Sequence, residues 1–157
     1  MPTSTYVALA TTTLASAAAN VTFSSIPATY RDLVLVYSGT LSGLGNLRLQ
    51  FNGDTGSNYS YVYAEPSGSG ASSLTGVFFG DGGTTQGVII GQIMDYSATD
   101  KHKTVLSRAN RNDSGSQNVQ MWANRWANTG AITSIKVYTN SPNISAGTVL
   151  SLYGIEA

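Results

Sequence analysis

The chain has no cysteine among its 157 residues. Disulfides, thiolate metal sites and a cysteine nucleophile are therefore excluded. Charged residues are also scarce. Eight Lys and Arg residues are balanced by eight Asp and Glu residues, so the formal net charge is zero. A neutral chain has no long-range field to attract phosphate backbones or anionic lipid, so we expect it to bind neither nucleic acid nor membrane. No stretch approaches the ~20 apolar residues of a membrane-spanning helix.

The first 20 residues lack the features of a signal peptide. They contain small residues suited to a cleavage site, but no basic start and no continuous apolar stretch. We interpret residues 1–19 as an N-terminal strand or arm involved in partner contacts. A strand candidate begins within a few residues of Met1, so we expect one self-contained domain over residues 1–157. A domain of about 150 residues buries roughly 68–70% of its unfolded surface and needs no disulfide or metal.

Small uncharged polar residues are abundant instead. Ser, Thr, Asn and Gly make up 66 of the 157 residues. Such a surface can be buried against a partner without the desolvation cost of many ions. A free monomer more often carries net charge for solubility. The composition therefore favours a protein that works as part of an assembly. The alternative is that this is simply the ordinary composition of a β protein.

Short apolar runs separated by turn residues predict an all-β fold. Leu47, Leu49 and Phe51 alternate with polar residues, as in a half-buried strand, and residues 32–37 are nearly all apolar. Strand candidates lie near 5–10, 20–26, 32–38, 46–52, 58–64, 76–80, 86–94, 103–109, 117–124, 132–139 and 147–155. We predict a single-domain antiparallel β-sandwich, jelly-roll-like in its topology.

Residues 117–128 are the best candidate for a helix. The residues at helical spacing are Val119, Trp122, Ala123 and Trp126. The Asn-rich flanks suit neither helix caps nor helix interiors, so a strand is favoured here.

Two stretches rich in Gly and Ser are predicted to be mobile loops. They span residues 65–73 and 80–87. Unless something packs on such loops they stay flexible, so we expect partner contacts at their tips.

The sequence contains few residues suited to catalysis. His102 is the one histidine, and its neighbours Lys101 and Lys103 disfavour a second positive charge, so we interpret it as a solvated turn residue. Most acids sit at turns, and Asp95, which ends an apolar run, is the one placed for partial burial. Glycan hydrolysis remains a minor alternative. We predict a protein that is not an enzyme and has no cofactor.

The segment from Asn52 to Asn58 offers oxygen ligands at the spacing of a loop. Asn52, Asp54 and Asn58 could in principle hold calcium. With one carboxylate in seven residues, a turn stabilised by side-chain hydrogen bonds to the backbone is favoured instead. We therefore predict no metal site.

Aromatic residues recur at alternate positions in two predicted strands. Tyr59, Tyr61 and Tyr63 would share one strand face, and Trp122 with Trp126 would share another. Rows of this kind occur in sugar-binding faces and in protein interfaces. We predict these five residues as a partner interface, with core packing as the alternative.

Three stretches resemble the small β-sandwich structural proteins of tailed bacteriophages, including cyanophages. They cover Phe23 to Tyr37, Leu47 to Tyr59 and Ala146 to Ile155, and residues 131–137 fit the same pattern. The resemblance spans almost the whole chain. The modules it concerns serve as capsid decoration (cement) proteins or as domains of tail fibres and other adhesins.

This resemblance implies a virion structural protein without catalytic residues. We expect a cement protein that is made in the host cytoplasm, binds the major capsid protein on the outer surface of the assembled head and stabilises it by mass action. It also implies self-association, as a trimer. The alternative is a tail-fibre or adhesin module that recognises host surface glycan.

Overall fold

The computed structural model describes residues 5–65, 68–113 and 116–156. Twelve strands follow one another along this part of the chain: Tyr6–Thr13 (β1), Asn20–Phe23 (β2), Asp32–Gly39 (β3), Gly45–Phe51 (β4), Tyr59–Glu65 (β5), Gly68–Leu74 (β6), Val77–Gly82 (β7), Gly87–Met94 (β8), Lys103–Asp113 (β9), Ser116–Trp126 (β10), Ile135–Tyr138 (β11) and Val149–Ile155 (β12). Among the described residues there is no helix long and apolar enough to cross a membrane.

The strands form two antiparallel sheets. An eight-stranded sheet has the order β1-β12-β3-β8-β9-β10-β5-β6, and a four-stranded sheet has the order β2-β11-β4-β7. The chain passes from one sheet to the other at most of its connections, which is the jelly-roll-like arrangement. The prediction of an all-β antiparallel sandwich is therefore confirmed.

Each of the eleven strand candidates corresponds to a strand, and residues 116–126 are extended rather than helical. Of the loop predicted at residues 65–73, residues 66 and 67 lie outside the described part of the chain. For the others the prediction is wrong, because Glu65 ends β5 and residues 68–74 form β6, paired in continuous register with β5. The long alternating strand β5 supplies a template on which even a Gly- and Ser-rich segment can pair. The second predicted loop is shorter than expected, since β7 extends to Gly82 and only residues 83–86 connect it to β8.

The N-terminal segment is part of the sandwich rather than a separate arm. Residues 6–13 pair with β12 along one edge of the eight-stranded sheet. The remaining residues of the predicted arm include an isolated bridge from Ala18 to Ile144. Residues 1–4 lie outside the described part of the chain.

The core lies between the four-stranded sheet and one face of the eight-stranded sheet, which we call the inner face. Side chains that alternate along each strand point into it, as a half-buried sheet requires. Its fully buried members include Leu33, Leu35, Leu47, Leu49, Phe51, Val77, Phe79, Ile89, Ile93, Val105, Ile135, Val137 and Leu150.

The two sheets differ in width, and this leaves part of the inner face uncovered. The edge strand β7 of the small sheet packs against β9 and β10. Strands β5 and β6 lie beyond β10 in the large sheet and extend past β7. They form a ledge beside the sandwich.

The free edge of β7 is closed at Phe78, mainly by Asn124 and more weakly by the Ser107 hydroxyl, which lies 3.5 Å from the Phe78 carbonyl. Asn124, which is buried on β10, accepts a hydrogen bond from the Phe78 backbone N–H at 2.9 Å through its Oδ1. Its Nδ2 donates to the Phe78 carbonyl at 3.1 Å. The amide thus satisfies a donor and an acceptor that a neighbouring strand would otherwise satisfy, which protects this edge from pairing.

Candidate interaction surface

The predicted aromatic interface divides between the core and the ledge. Trp122 pairs with Tyr63 and Trp126 pairs with Tyr59, so the two rows share one face of the sheet, the inner face. Trp122, Trp126 and Tyr59 are buried, at 3%, 1% and 1% exposure. For these three residues the interface prediction is wrong and the core alternative holds, because the four-stranded sheet covers them.

The turn after β4 accounts for how two of these polar aromatics, Trp126 and Tyr59, can be buried. The Trp126 indole N–H donates to the Asp54 carboxylate at 2.7 Å. The Tyr59 hydroxyl donates to the Asp54 carbonyl at 3.1 Å and accepts from the Phe51 N–H at 3.2 Å. Each polar tip therefore has a partner, and burial raises the pKa of Tyr59 to about 12.

The same turn fulfils the prediction of turn chemistry at residues 52–58. Asn52 and Gly53 both have positive φ, at 53° and 72°, and the Asp54 N–H donates to the Phe51 carbonyl at 2.9 Å. These are the dihedrals of a type I′ turn. The Asn52 side chain then joins the turn to a second loop, because its Oδ1 accepts from the Thr133 N–H at 2.8 Å and its Nδ2 donates to the Ala131 carbonyl at 2.7 Å.

Two of the three candidate calcium ligands, the Asn52 amide oxygen and the Asp54 carboxylate, already accept hydrogen bonds. Burial opposes ionisation of Asp54, but hydrogen bonds from Trp126, Asn58 and the Gly56 N–H outweigh it and hold the pKa of this carboxyl below its ordinary value. In the described part of the chain, no group of three or more acids and histidines is close enough to hold a metal ion.

The candidate catalytic residues His102 and Asp95 are both exposed at the surface. His102 is exposed in the turn before β9, as expected. Asp95 was expected to be partly buried, but it is exposed at a turn with φ of 48°, 3.6 Å from the Lys101 ammonium. That expectation is wrong, because the chain turns directly after β8 and directs Asp95 to solvent.

Lys103 is a buried cation that the sequence did not single out. Its ammonium donates to the carbonyls of Lys101 and Thr129 at 2.9 and 3.0 Å. Burial lowers the pKa of Lys103. The contacts join the turn before β9 to the loop after β10, which is a structural role.

Tyr61 and Tyr63 are half-buried on the ledge. Tyr61 contacts Phe78 and Tyr63, with ring centroids 5.5 and 6.0 Å apart. The Tyr63 ring extends across β6 over Gly70, where an added Cβ would lie 2.7 Å from the ring. Glycine is therefore required at position 70 for this ring to reach the edge of the sheet.

The opposite face of the eight-stranded sheet, which we call the outer face, is covered by nothing in the described chain. Among the side chains that the structure describes, it holds all but one of the exposed large apolar ones: Tyr6, Val62, Val88, Leu106, Val119 and Met121. Val119 is 69% exposed and Met121 is 52% exposed. The exception is Leu44, which lies in the loop before β4. Concentration of exposed apolar residues on one face is typical of an interaction surface.

The outer face carries few charged side chains, and the accessible ones are positive. Arg108 and Arg125 are exposed at outward positions of β9 and β10. The described carboxylate on this face, Asp32, is buried and accepts hydrogen bonds from Gln92 at 3.2 Å and from the Asp95 N–H at 2.9 Å. Arg and Met are enriched in interfaces, whereas Lys, Glu and Asp are depleted.

Three shallow hollows give the outer face relief. One of about 320 Å³ lies beside Leu106 and Met121, and one of about 240 Å³ lies beside Val88 and Val119. Arg108 borders both of them. A third, of about 680 Å³, is floored by small side chains including Ala71 and Ala123. A partner could insert side chains here.

No protein-family model matches the sequence, and no curated protein matches it closely enough to indicate a relative. Among solved structures, a tetrameric galectin from the ball sponge Cinachyrella sp. is similar at 12% identity and a TM-score of 0.40, over 87% of this chain and 99% of the galectin. Alginate lyase Aly36B is similar at 14% identity and a TM-score of 0.34, over 92% and 77% of the two chains. The marine PL-14 alginate lyase from Aplysia kurodai is similar at 13% identity and a TM-score of 0.30, over 83% and 70%. These weak likenesses carry no information about ligands or activity.

Proposed function

We propose that this chain is a non-enzymatic structural protein of a tailed-bacteriophage virion, and specifically a capsid decoration protein on the outer surface of the head. The observation that carries the proposal is the outer face, on which exposed apolar side chains are gathered on one broad sheet surface. The sequence stretches that resemble phage sandwich proteins support the same function. Its partner is the major capsid protein.

The chemistry of the outer face suits attachment to a large, preformed protein surface. Apolar burial contributes roughly 25 cal/mol per Å², and little charge has to be desolvated when this face is covered. Arg108 and Arg125 would pair with carboxylates of the shell. A protein that binds only the assembled shell stabilises the shell by mass action.

Reconstitution on heads tests this proposal. Heads from a mutant of the encoding phage that lacks this gene are mixed with the purified protein and imaged by cryo-electron microscopy. We expect density on the heads for the wild-type chain and its loss for Val119→Asp, because a carboxylate would be buried in an apolar contact. Leu44→Asp makes the same change in an exposed apolar residue off the outer face and should bind normally. Density along the tail with none on the head would overturn the proposal.

The rival function is a tail-fibre or adhesin module that binds host glycan. It depended on rows of tyrosines and tryptophans, and burial of Tyr59, Trp122 and Trp126 leaves Tyr61 and Tyr63 as the half-exposed rings. Binding on a glycan array that is abolished by Tyr61→Ala in a folded protein would favour this rival. We expect no glycan binding.

A further inference from the structure

We propose that strand β6 pairs with β6 of a second copy of the chain, in antiparallel orientation across a twofold axis, so that two eight-stranded sheets become one continuous sheet. The surface involved is the free edge of β6 together with the ledge behind it. The contact is made by the backbone edge of β6 and by the ledge on the inner side, although the side chain of Ala71 borders a hollow of the outer face. The inference therefore goes beyond the proposed function and does not rest on it.

The edge of β6 differs from the other three sheet edges. A β-bulge interrupts β1 between Ala8 and Ala10, β2 has four residues, and Asn124 closes β7. Bulges, short strands and covering side chains each prevent edge-to-edge pairing. In contrast, β6 has seven residues in regular register with β5. None of the seven is a charged residue or a proline.

A second copy of β6 is the occupant that this edge fits best. An antiparallel pair of identical strands forms about a twofold axis without any change in sequence, which makes the contact isologous. The strand carries no charge, so two copies meet without repulsion. A pair centred on the strand places Ala71 opposite the same residue of the partner, flanked by Gly and Ser side chains that cannot clash.

The ledge supplies the apolar part of the same contact. On the inner side of β6 the side chains are small apart from Leu74, and the half-exposed rings of Tyr61 and Tyr63 lie behind them on β5. The Tyr63 ring already reaches over Gly70 toward the free edge. Neighbouring strands lie about 4.8 Å apart, so an aromatic side chain that crosses β6 can contact the next strand. Pairing would cover two rings that the four-stranded sheet leaves open.

Sedimentation of the purified protein over a range of concentrations tests the pairing. We expect the weight-average mass to rise from 16.4 kDa toward twice that value as concentration increases. Ala71→Lys should hold the mass at one chain, because two ammonium groups would meet at the axis, and Ala71→Glu should do the same. Mixing the two variants should restore the twofold mass through Lys–Glu pairs, a recovery that misfolded variants could not show.

Ala123→Lys is the matched control, because it makes the same change at an exposed position of β10 on the outer face. It should leave self-association unchanged. Loss of association in Ala123→Lys but not in Ala71→Lys would assign self-association to the outer face and overturn the proposal. A wild-type chain that stays at one-chain mass, or one that forms a three-chain species insensitive to Ala71→Lys, would also overturn it. Head binding by Val119→Asp is measured separately, so either proposal can fail without the other.

Discussion

The two faces of β10 show opposite relations between polarity and burial. On the inner face, Gln120 and Asn124 are buried in alternation with the two tryptophans, whereas on the outer face Val119 and Met121 are exposed. If hydrophobicity of these four residues alone decided the orientation, Val119 and Met121 would face the core and the two amides would face solvent. The orientation follows from Trp122 and Trp126, which need the core, and from amides that have specific partners there. The outer apolar residues are therefore surplus to folding, which is why we assign them to a partner.

The Gln120 amide illustrates those specific partners. Its Nε2 donates to the carboxylates of Asp81 and Glu65 at 2.7 and 2.9 Å, joining β10 to β7 and β5. A register slip of one residue would remove these bonds and Asn124's bonds to β7, and would expose both tryptophans. Changes on the inner face should therefore cost folding stability, and changes on the outer face should cost binding alone.

The largest effect is expected for Trp126→Ala. The change leaves a cavity against Phe51 and Tyr59 and removes the indole donor from Asp54. Large-to-small changes of this kind cost about 3–5 kcal/mol. Urea denaturation followed by circular dichroism measures the free energy of unfolding. A loss no greater than that of Met121→Ala on the outer face would contradict the comparison.

Asn124→Leu is expected to be the next most damaging change. It keeps the size of the side chain but removes the acceptor of the part-buried Phe78 N–H, at roughly 1–3 kcal/mol, and leaves the Phe78 carbonyl with only the long 3.5 Å hydrogen bond from the Ser107 hydroxyl. Exposure of the β7 edge should also promote aggregation on heating. Asn110→Leu on the outer face serves as the control, since its hydrogen bond to the Val88 N–H is exposed. Equal losses of unfolding free energy in the two variants would show that Asn124 does not protect the edge.

Alkaline pH should weaken the inner face before it affects the outer face. Burial raises the pKa of Tyr37 and Tyr59 to about 12, from an ordinary value of 10.0. Their stabilisation is complete below pH 10 and is lost as pH rises from 10 to 12, because the unfolded chain releases these protons first. The loss is about 2 to 3 kcal/mol for each tyrosine. Unfolding free energies measured from pH 8 to 12 should show a shallower decline in Tyr59→Phe and an unchanged decline in the exposed control Tyr6→Phe.

Acid should produce a smaller loss of unfolding free energy, because it protonates Asp54 in the turn that binds the Trp126 indole. Hydrogen bonds to the ionised Asp54 hold its pKa below 3.8, so its stabilisation is present above that pH and is lost as pH falls through the lower folded-state value. Asp54→Asn should flatten this part of the stability profile. Asp100→Asn, a change at an exposed position, should leave the profile as it is. A stability profile unaffected by Asp54→Asn would show that ionised Asp54 does not stabilise the fold.

The smallest effect on stability is expected for Met121→Ser. Its side chain is exposed and packs on no second layer, so the unfolding free energy should change by no more than ~0.5 kcal/mol. Attachment to heads should nevertheless weaken. A large loss of stability would show that Met121 belongs to the fold and not to an interaction surface.

The strands could be predicted from the sequence because alternation and turn residues are local signals. The turn at Asn52 and Gly53 followed from residue types that tolerate positive φ. Strand β6 was missed because Gly68–Leu74 has no apolar alternation and pairs only because β5 lies beside it. No local pattern could show that the tyrosine and tryptophan rows share a face, since that depends on the pairing of β5 with β10.

The sequence does contain a signal for the outer face. Val119 and Met121 alternate with Gln120 and Trp122, and Leu106 alternates with Val105 and Ser107, so both faces of β9 and β10 contain apolar residues. A strand covered on one side needs only one such face. Which face the small sheet covers is a matter of topology, and the sequence does not specify it locally.

Thiol labelling most directly tests whether a partner covers the outer face. The chain has no cysteine, so Val119→Cys introduces a single reactive group, and Leu44→Cys provides the same group off that face. Both should react quickly with a maleimide in the free protein. On decorated heads, Val119→Cys should be protected at least ten-fold while Leu44→Cys keeps its rate. Equal reactivity of Val119→Cys in the free and bound protein would contradict the account.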